Sequence, residues 1–576
     1  MKPPIAPPKQ ATSAELFTPK LITVLREGYG LGNFKSDFVA GLTVAIVALP
    51  LSMAIAIASH AAPAMGLYTA VVGGFLISAL GGSRFQVGGP AGAFIVLIAS
   101  IIDRHGPEGL LLATMMAGVI IFAIGALKLG TYIKYVPHPV TVGFTAGIAV
   151  IIFASQIKEI AGLTLPRAEP ADIIAKLAAL WQAMPSFNVN AAVVAGLSIA
   201  IIVGLRKLRP HWPGFLIAVT IAAVLSWAFG LDVQTIESRF GGIPSSLPAP
   251  ALPPMSIAKI QELLPDALAI ALLGSIESLL SAVVADSMTG RRHRSNCELV
   301  AQGIANVACA IFGGITATGT IARTATNVRA GAHGPISGML HAGFILLFML
   351  VAAPLAGYIP LAALAGILAV VAWNMAEKAE FKSLLTASRG DAAVLLATFG
   401  LTVFVDLTTG IVVGVTLGCL LFMHRMAQAI EVQTHREFHL VEDDRADDAN
   451  GRRQPYDPQY ATDPDIVIHR IAGAFFFGAA STVATTLERI GEPPKGFILD
   501  LTQVPFVDYS AAHSLRGFLK SATRHNAVVY LTGAPAQVRR DLIRYGIKKP
   551  LVRYGHSIAD CIKAIRHGLE IDVQDG

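Results

Sequence analysis

The chain has 576 residues, 54% of them hydrophobic and 14% charged, and its formal net charge is +6. With a mean hydropathy of +0.61, it cannot be an ordinary water-soluble protein of this size and reads as a polytopic membrane protein. The positive balance does not imply nucleic acid, because the Lys and Arg residues sit in short loops between apolar runs, where membrane topology accounts for them.

Residues 1–37 are polar and Pro-rich, show no cleavable signal pattern, and include an amphipathic stretch at 16–31 suited to a membrane surface. Seven apolar spans follow, at 38–58, 66–80, 90–102, 110–127, 140–157, 191–205 and 213–229. A Pro- and Ser-rich stretch at 241–255 precedes seven more, at 267–285, 299–312, 320–329, 335–353, 361–373, 392–405 and 410–423. This divides the membrane part into repeat 1 (38–230), a linker (231–262) and repeat 2 (263–425). The four cysteines, Cys297, Cys309, Cys419 and Cys561, are widely separated, so no disulfide framework, metal site or cofactor is expected.

Two landmarks recur at nearly equal separation. Tyr135-Val136-Pro137 and Tyr358-Ile359-Pro360 each precede a Gly/Ala-rich span, and Gly81-Gly82 and Gly313-Gly314 each introduce a broken one. Seven spans per half is an odd number, so the copies have opposite orientation, the inverted-repeat plan of many secondary transporters. Both broken spans are short. In the first, Gln86 to Ala93 reads as extended backbone followed by a helix with Pro90 at its first position; in the second, a helix of about ten residues, about half the thickness of a bilayer core, follows the Thr/Gly-rich run. Each would end inside the membrane with its positive N-terminal end at the midplane. Thr320, Arg323, Thr324 and Asn327 share one face of the second half-helix.

The apolar run 267–285 is interrupted by Glu277, with Gly274, Ser278 and Ser281 close to it. A carboxylate at mid-membrane costs about 2.5–3.5 kcal/mol on insertion scales, so it faces a protein interior or an aqueous cavity. Two roles stay open: a titrating acid that governs anion access, or a permanent ion pair with Arg323. Tyr68, Phe85 and Gln86 are pocket candidates, with packing as the alternative. Loop charge places the N-terminus in the cytoplasm, and an even span count returns the C-terminus there.

From about Thr434 the composition becomes that of a soluble domain. A first strand at 436–441 and a charged insertion at 442–465 precede strands at 466–471, 497–501 and 528–531, which alternate with helices at 481–490, 510–523 and 536–545. This predicts a small α/β domain over 434–570. Ser510 stands at a loop-to-helix junction, where Ser ordinarily caps a helix. Neither a Walker loop nor a hydrolase constellation is present, and the chain is not expected to be an enzyme.

Gly66-Leu67-Tyr68-Thr69-Ala70, Gly81-Gly82-Ser83-Arg84, Gly274-Ser275-Ile276-Glu277-Ser278, Gly313-Gly314-Ile315-Thr316-Ala317-Thr318 and Asn327-Val328-Arg329-Ala330-Gly331 resemble the sulfate permease family, relatives of the animal solute carrier family 26 anion exchangers. The stretches Phe497-Ile498-Leu499-Asp500-Leu501 and Val507-Asp508-Tyr509-Ser510 resemble a STAS domain. The wording around Glu277 and Arg323 is most similar to the proteobacterial DauA-type C4-dicarboxylate transporters. The resemblance implies an all-α membrane domain of fourteen segments in a 7+7 inverted repeat with core and gate parts, a cytoplasmic α/β STAS domain, and a homodimer in the bacterial inner membrane. It also implies a small anion held by Gly88, Gly89, Pro90 and Ala91 from one repeat and by Gly319, Thr320, Ile321, Ala322 and Arg323 from the other. Coupling to protons through Glu277 and Ser281, and a phosphorylatable Ser510, are implied as well. Sodium-coupled bicarbonate relatives carry Asp and Thr where this chain has Glu277 and Ser281, which favours protons. A channel of the same architecture, a nucleobase permease and a membrane-anchored signalling protein are the rival functions.

Overall fold

The computed structural model describes residues 16–133, 137–166, 169–170, 172–209, 212–428, 431–435, 465–477 and 494–574. Two compact units result, Met1–Thr416 and Leu417–Gly576. Among the described residues, nine helices are long and apolar enough to cross a membrane.

The first unit opens with a short helix, α1 (Lys20–Arg26), and a long one, α2 (Leu31–Ala58). A helix that passes through one π turn follows, as α3 (Pro63–Tyr68) and α4 (Gly74–Leu80). The chain then extends through a two-residue strand, β1 (Gly88–Gly89), before α5 (Ile95–Ala126). The third and fourth expected spans are thus one helix with a break: Gly106 has φ 72 and Pro107 follows it, so the ladder is interrupted where the chain turns back. Next come α6 (Gly130–Ile133), α7 (His138–Ile160), α8 (Ile173–Gln182), α9 (Val189–Leu208), α10 (Gly214–Ala228) and α11 (Ile236–Phe240).

The second half repeats the plan. A long helix, α12 (Ile257–Thr289), is capped by Ser256 and stopped by Gly290 at φ 69. Then follow α13 (Ser295–Ile311), a second short strand β2 (Thr318–Gly319), a nine-residue helix α14 (Ile321–Arg329), α15 (Ile336–Gly357), α16 (Leu361–Met375), α17 (Lys378–Ala387), α18 (Arg389–Phe404) and α19 (Leu407–Gln428). One bundle is built from α2, α4, α5 and α12–α15, and a second from α7, α9, α10, α16 and α18. Close approach in the first rests on glycine: a Cβ on Gly118 of α5 would stand 2.8 Å from the Gly303 carbonyl of α13.

The second unit carries a five-stranded sheet in the order β3 (Glu431–His435), β4 (Ile466–Ala472), β5 (Gly496–Gln503), β6 (Val528–Thr532), β7 (Arg553–Tyr554). β3 is antiparallel to β4 and the other pairs are parallel. Apolar residues of α20 (Tyr509–Arg524) and α21 (Ala536–Arg544) join the larger core on one face, and Cys561, Ile562 and Ile565 of α22 (Ile558–Gln574) pack with Ile466, Ile468 and Ile498 in another. The expected strand at 436–441, the insertion apart from Asp465, and the helix at 481–490 lie outside the described residues. The cap of α20 is Asp508, not Ser510: Asp508 holds the extended conformation a cap requires and accepts from Ala511 N at 2.8 Å, leaving Ser510 exposed on the first turn.

Candidate anion site

β1 and β2 meet as an antiparallel pair, Gly88 opposite Gly319 and Gly89 opposite Thr318. Each precedes a helix that begins inside the unit. Pro90 does not open the first of these, as the sequence suggested. Pro90 and Ala91 stay extended, a 3₁₀ turn covers Gly92–Phe94, and the α-helix starts at Ile95. From Ile95 to the break at Gly106 the helix is about 16 Å long, and α14 about 14 Å, half-lengths for a bilayer.

Glycine at β1 and β2 is a steric requirement. Gly89 has φ 153, and a Cβ there would overlap the Arg323 guanidinium; a Cβ on Gly319 would overlap the Gln86 amide. The polar face of α14 stitches this crossing together. Thr324 Oγ1 accepts from Val87 N at 3.2 Å and from Ser281 Oγ at 3.0 Å, while Asn327 Nδ2 donates to the Phe85 carbonyl at 2.9 Å. Thr320 N and Oγ1 both donate to the Val87 carbonyl. Ser278 Oγ pairs with Thr318 Oγ1 at 2.7 Å and receives Gly319 N.

Arg323 is 1% exposed. It donates to the carbonyls of Gly88 and Pro90, both at 3.2 Å, and to Ser52 Oγ at 3.0 Å. Among the described residues no carboxylate forms an ion pair with it, so the alternative of a standing Glu277–Arg323 pair is not realised. A buried cation neutralised only by carbonyl dipoles still carries a desolvation cost of several kcal/mol, which a nearby anion offsets. Ile321 is half-buried and Ala322 exposed at the start of α14. Their amides begin the helix, where N–H groups have no partner within it. The Gly92 end of the other arm faces the second bundle, with Met375 Sδ and Ile152 nearest. Backbone amides, two positive helix ends and one buried guanidinium thus converge at the crossing, an arrangement whose charge suits a compact anion.

Glu277 lies elsewhere on α12 than Ser278 and Ser281. It is half-buried, lines a cavity of about 20 Å³ with Thr141, Phe144 and Thr145 of α7 and Ile411 of α19, and forms no hydrogen bond or ion pair among the described residues. Ser281, wholly buried, is committed to Thr324. Tyr68 and Phe85 are buried, and both amide atoms of the buried Gln86 are without a partner, as is Asn327 Oδ1.

Residues not anticipated hold the arms in place. Glu298 accepts from the amides of Gly82 and Ser83 at 2.9 and 3.1 Å and from Gln302, while Asn306 brackets Ala317 through both its N–H and its carbonyl. Asp37 accepts from His333 N, Gly334 N and the Tyr29 hydroxyl. Glu298, Gln302 and Asn306 recur every fourth residue, one face of an otherwise apolar helix, and that spacing is the signal that marks them.

Residues 34–398 match the Sulfate permease family and residues 457–559 match the STAS domain. The chain is 42% identical over 523 residues to YvdB of Bacillus subtilis (strain 168), named as a candidate sulfate transporter, covering 90% of this chain and 95% of that protein. It is 33% identical over 529 residues to the bicarbonate transporter BicA of Synechocystis, covering 88% and 90%. The solved transmembrane domain of a cyanobacterial BicA superposes with a TM-score of 0.60 at 34% identity, over 66% of this chain and 98% of that one. SLC26A9 shares the fold at a TM-score of 0.81 and 18% identity, over 96% and 93%. With two half-helices meeting at a buried cation, and with these likenesses spanning both units, the chain belongs to the sulfate permease family of membrane anion transporters and carries a C-terminal STAS domain.

Proposed function

We propose that the chain is a secondary active transporter that takes up a small oxyanion, sulfate or bicarbonate, or a C4-dicarboxylate, together with protons. The observation that carries this is Arg323, a buried guanidinium beneath the crossing of β1 and β2 that has no carboxylate partner among the described residues. Gly88, Gly89, Pro90 and Ala91 form one lip of the pocket, and Gly319, Thr320, Ile321 and Ala322 the other.

Glu277 supplies the coupling. It sits on the first bundle and faces α7 of the second, so its charge is felt where the two bundles slide past one another. Protonation removes a negative charge near the pocket and lets the anion occupy it. The first bundle then acts as an elevator-like core moving against the second as a gate, in a homodimer of the bacterial inner membrane with both termini cytoplasmic.

Counterflow in proteoliposomes with labelled sulfate, bicarbonate and fumarate tests the reading and names the cargo. Accumulation of one label, stimulated by an inward proton gradient and indifferent to sodium, is expected. Large unitary currents without accumulation would instead make the protein a channel, and a sodium requirement would favour sodium-coupled bicarbonate transport.

A further inference from the structure

A cavity of about 530 Å³ lies at the end of the membrane unit where α2 finishes. Its walls run from Ile95, the first residue of the helix after β1, out to Asp103 and Arg104, and across to Ser155 of α7 and Lys176 of α8. Its innermost wall is thus Ile95, four residues along the chain from Ala91.

Lys176 is 7% exposed. Its Nζ donates to Ser155 Oγ at 2.8 Å and pairs with the nearly buried Glu169 at 2.9 Å. The contact with Ser155 is a hydrogen bond, whereas Glu169 Oε1 faces the ammonium as a charge and accepts no hydrogen bond among the described residues. Ser155 passes its own proton to the Ile151 carbonyl at 3.0 Å, so its oxygen turns a lone pair to the lysine. The other charges of the cavity are committed in place. Arg104 is held by Asp266 at 2.7 Å and Asp103 by His60 at 2.8 Å, while Asp172 and Asp406 cap the helices that follow them. Glu169 differs: it belongs to the connection between α7 and α8, not to a helix.

A carboxylate on a loop seated on a buried ammonium has the chemistry of the cargo itself, a compact oxyanion on a point charge. Buried ion pairs add little net stability compared with apolar packing, so a purely structural role is a poor account of this one.

We infer that Lys176 is a docking residue for the oxyanion on its way to the crossing of β1 and β2, and that Glu169 is a tethered stand-in which covers Lys176 until the arriving anion displaces it. This rests on the transport reading above. It makes Lys176 and Glu169 opponents: one attracts cargo and the other competes with it.

The test compares K176Q, K176R and E169Q in the full chain, in proteoliposomes sorted by orientation, with labelled sulfate, bicarbonate and fumarate. Loss of one charge-assisted hydrogen bond predicts a KM about tenfold higher for K176Q at this face, with kcat nearly unchanged and K176R restoring most of the affinity. E169Q should lower KM at the same face. Opposite signs are the diagnostic, since a structural pair broken from either side moves both variants the same way. KM rising in both, or unmoved in both, overturns the inference while leaving transport intact. Wild-type protein that neither binds any of the three labels in detergent nor exchanges them overturns the transport reading and this one together.

Discussion

Removing the guanidinium of Arg323 deletes the buried positive charge beneath the crossing of β1 and β2 and frees the carbonyls of Gly88 and Pro90 that it holds. Arg323→Gln should therefore weaken anion binding about tenfold or more and also lower the thermal midpoint, whereas Arg323→Lys keeps the charge but not the planar fork, and should recover binding only in part. Titration calorimetry with the transported anion, beside thermal melts, separates the two losses. Glu277 is the converse case, an acid that makes no hydrogen bond or ion pair among the described residues. Glu277→Gln should leave the melt close to wild type, keep anion binding detectable and flatten the pH dependence of uptake; an unaltered pH profile would remove Glu277 from the proposed coupling step. In the second unit the wholly buried His469 has its pKa pushed down from 6.5 to about 4 by burial. Above pH 6.5 it is neutral folded or unfolded and nothing is lost. Between 6.5 and 4 the unfolded chain binds the extra proton, so stability falls as the pH falls, by about 3 kcal/mol at most. Hydrogen exchange in β4 and β5 of the full chain should lose protection across that window, and His469→Phe should remove the effect.

Among the elements, the two short strands carry the proposed site. Their place was legible because Gly-rich runs followed by short apolar stretches left too few residues for a full crossing. The start of the first half-helix was not legible. Pro90 suits a first helical position, yet its carbonyl is claimed by Arg323 more than two hundred residues away, and the helix waits until the chain has cleared that contact. Glu298 escaped notice for a related reason: it stands just before the apolar run of α13, where a loop acid is unremarkable, and only the fold brings Gly82 and Ser83 to it. The cap of α20 went to Asp508 over Ser510 because the helix begins one residue earlier than the pattern suggested. The crossing itself tolerates little. Gly89→Ala would force a side chain into the guanidinium at a φ that only glycine adopts readily, so transport should be lost and the melt lowered by several degrees, while alanine at Gly343, where no atom lies within contact distance, should be silent. Uptake assays and melts on the two variants decide this.

Across the whole molecule, the division into an apolar helical unit and an α/β unit follows from composition, since long apolar runs suit a bilayer and the charged C-terminal stretch suits water. The number of crossings is less direct, because a helix broken at Gly106 and one joined through a π turn do not count as separate rods. The pairing of Gly88 with Gly319 has a further consequence. Each half of the membrane unit contributes one strand, and the guanidinium that ties them together comes from the second half alone. If the crossing is the binding place, competence to hold cargo is gained only once Arg323 has been synthesised, and a chain ended in the linker should insert without transporting.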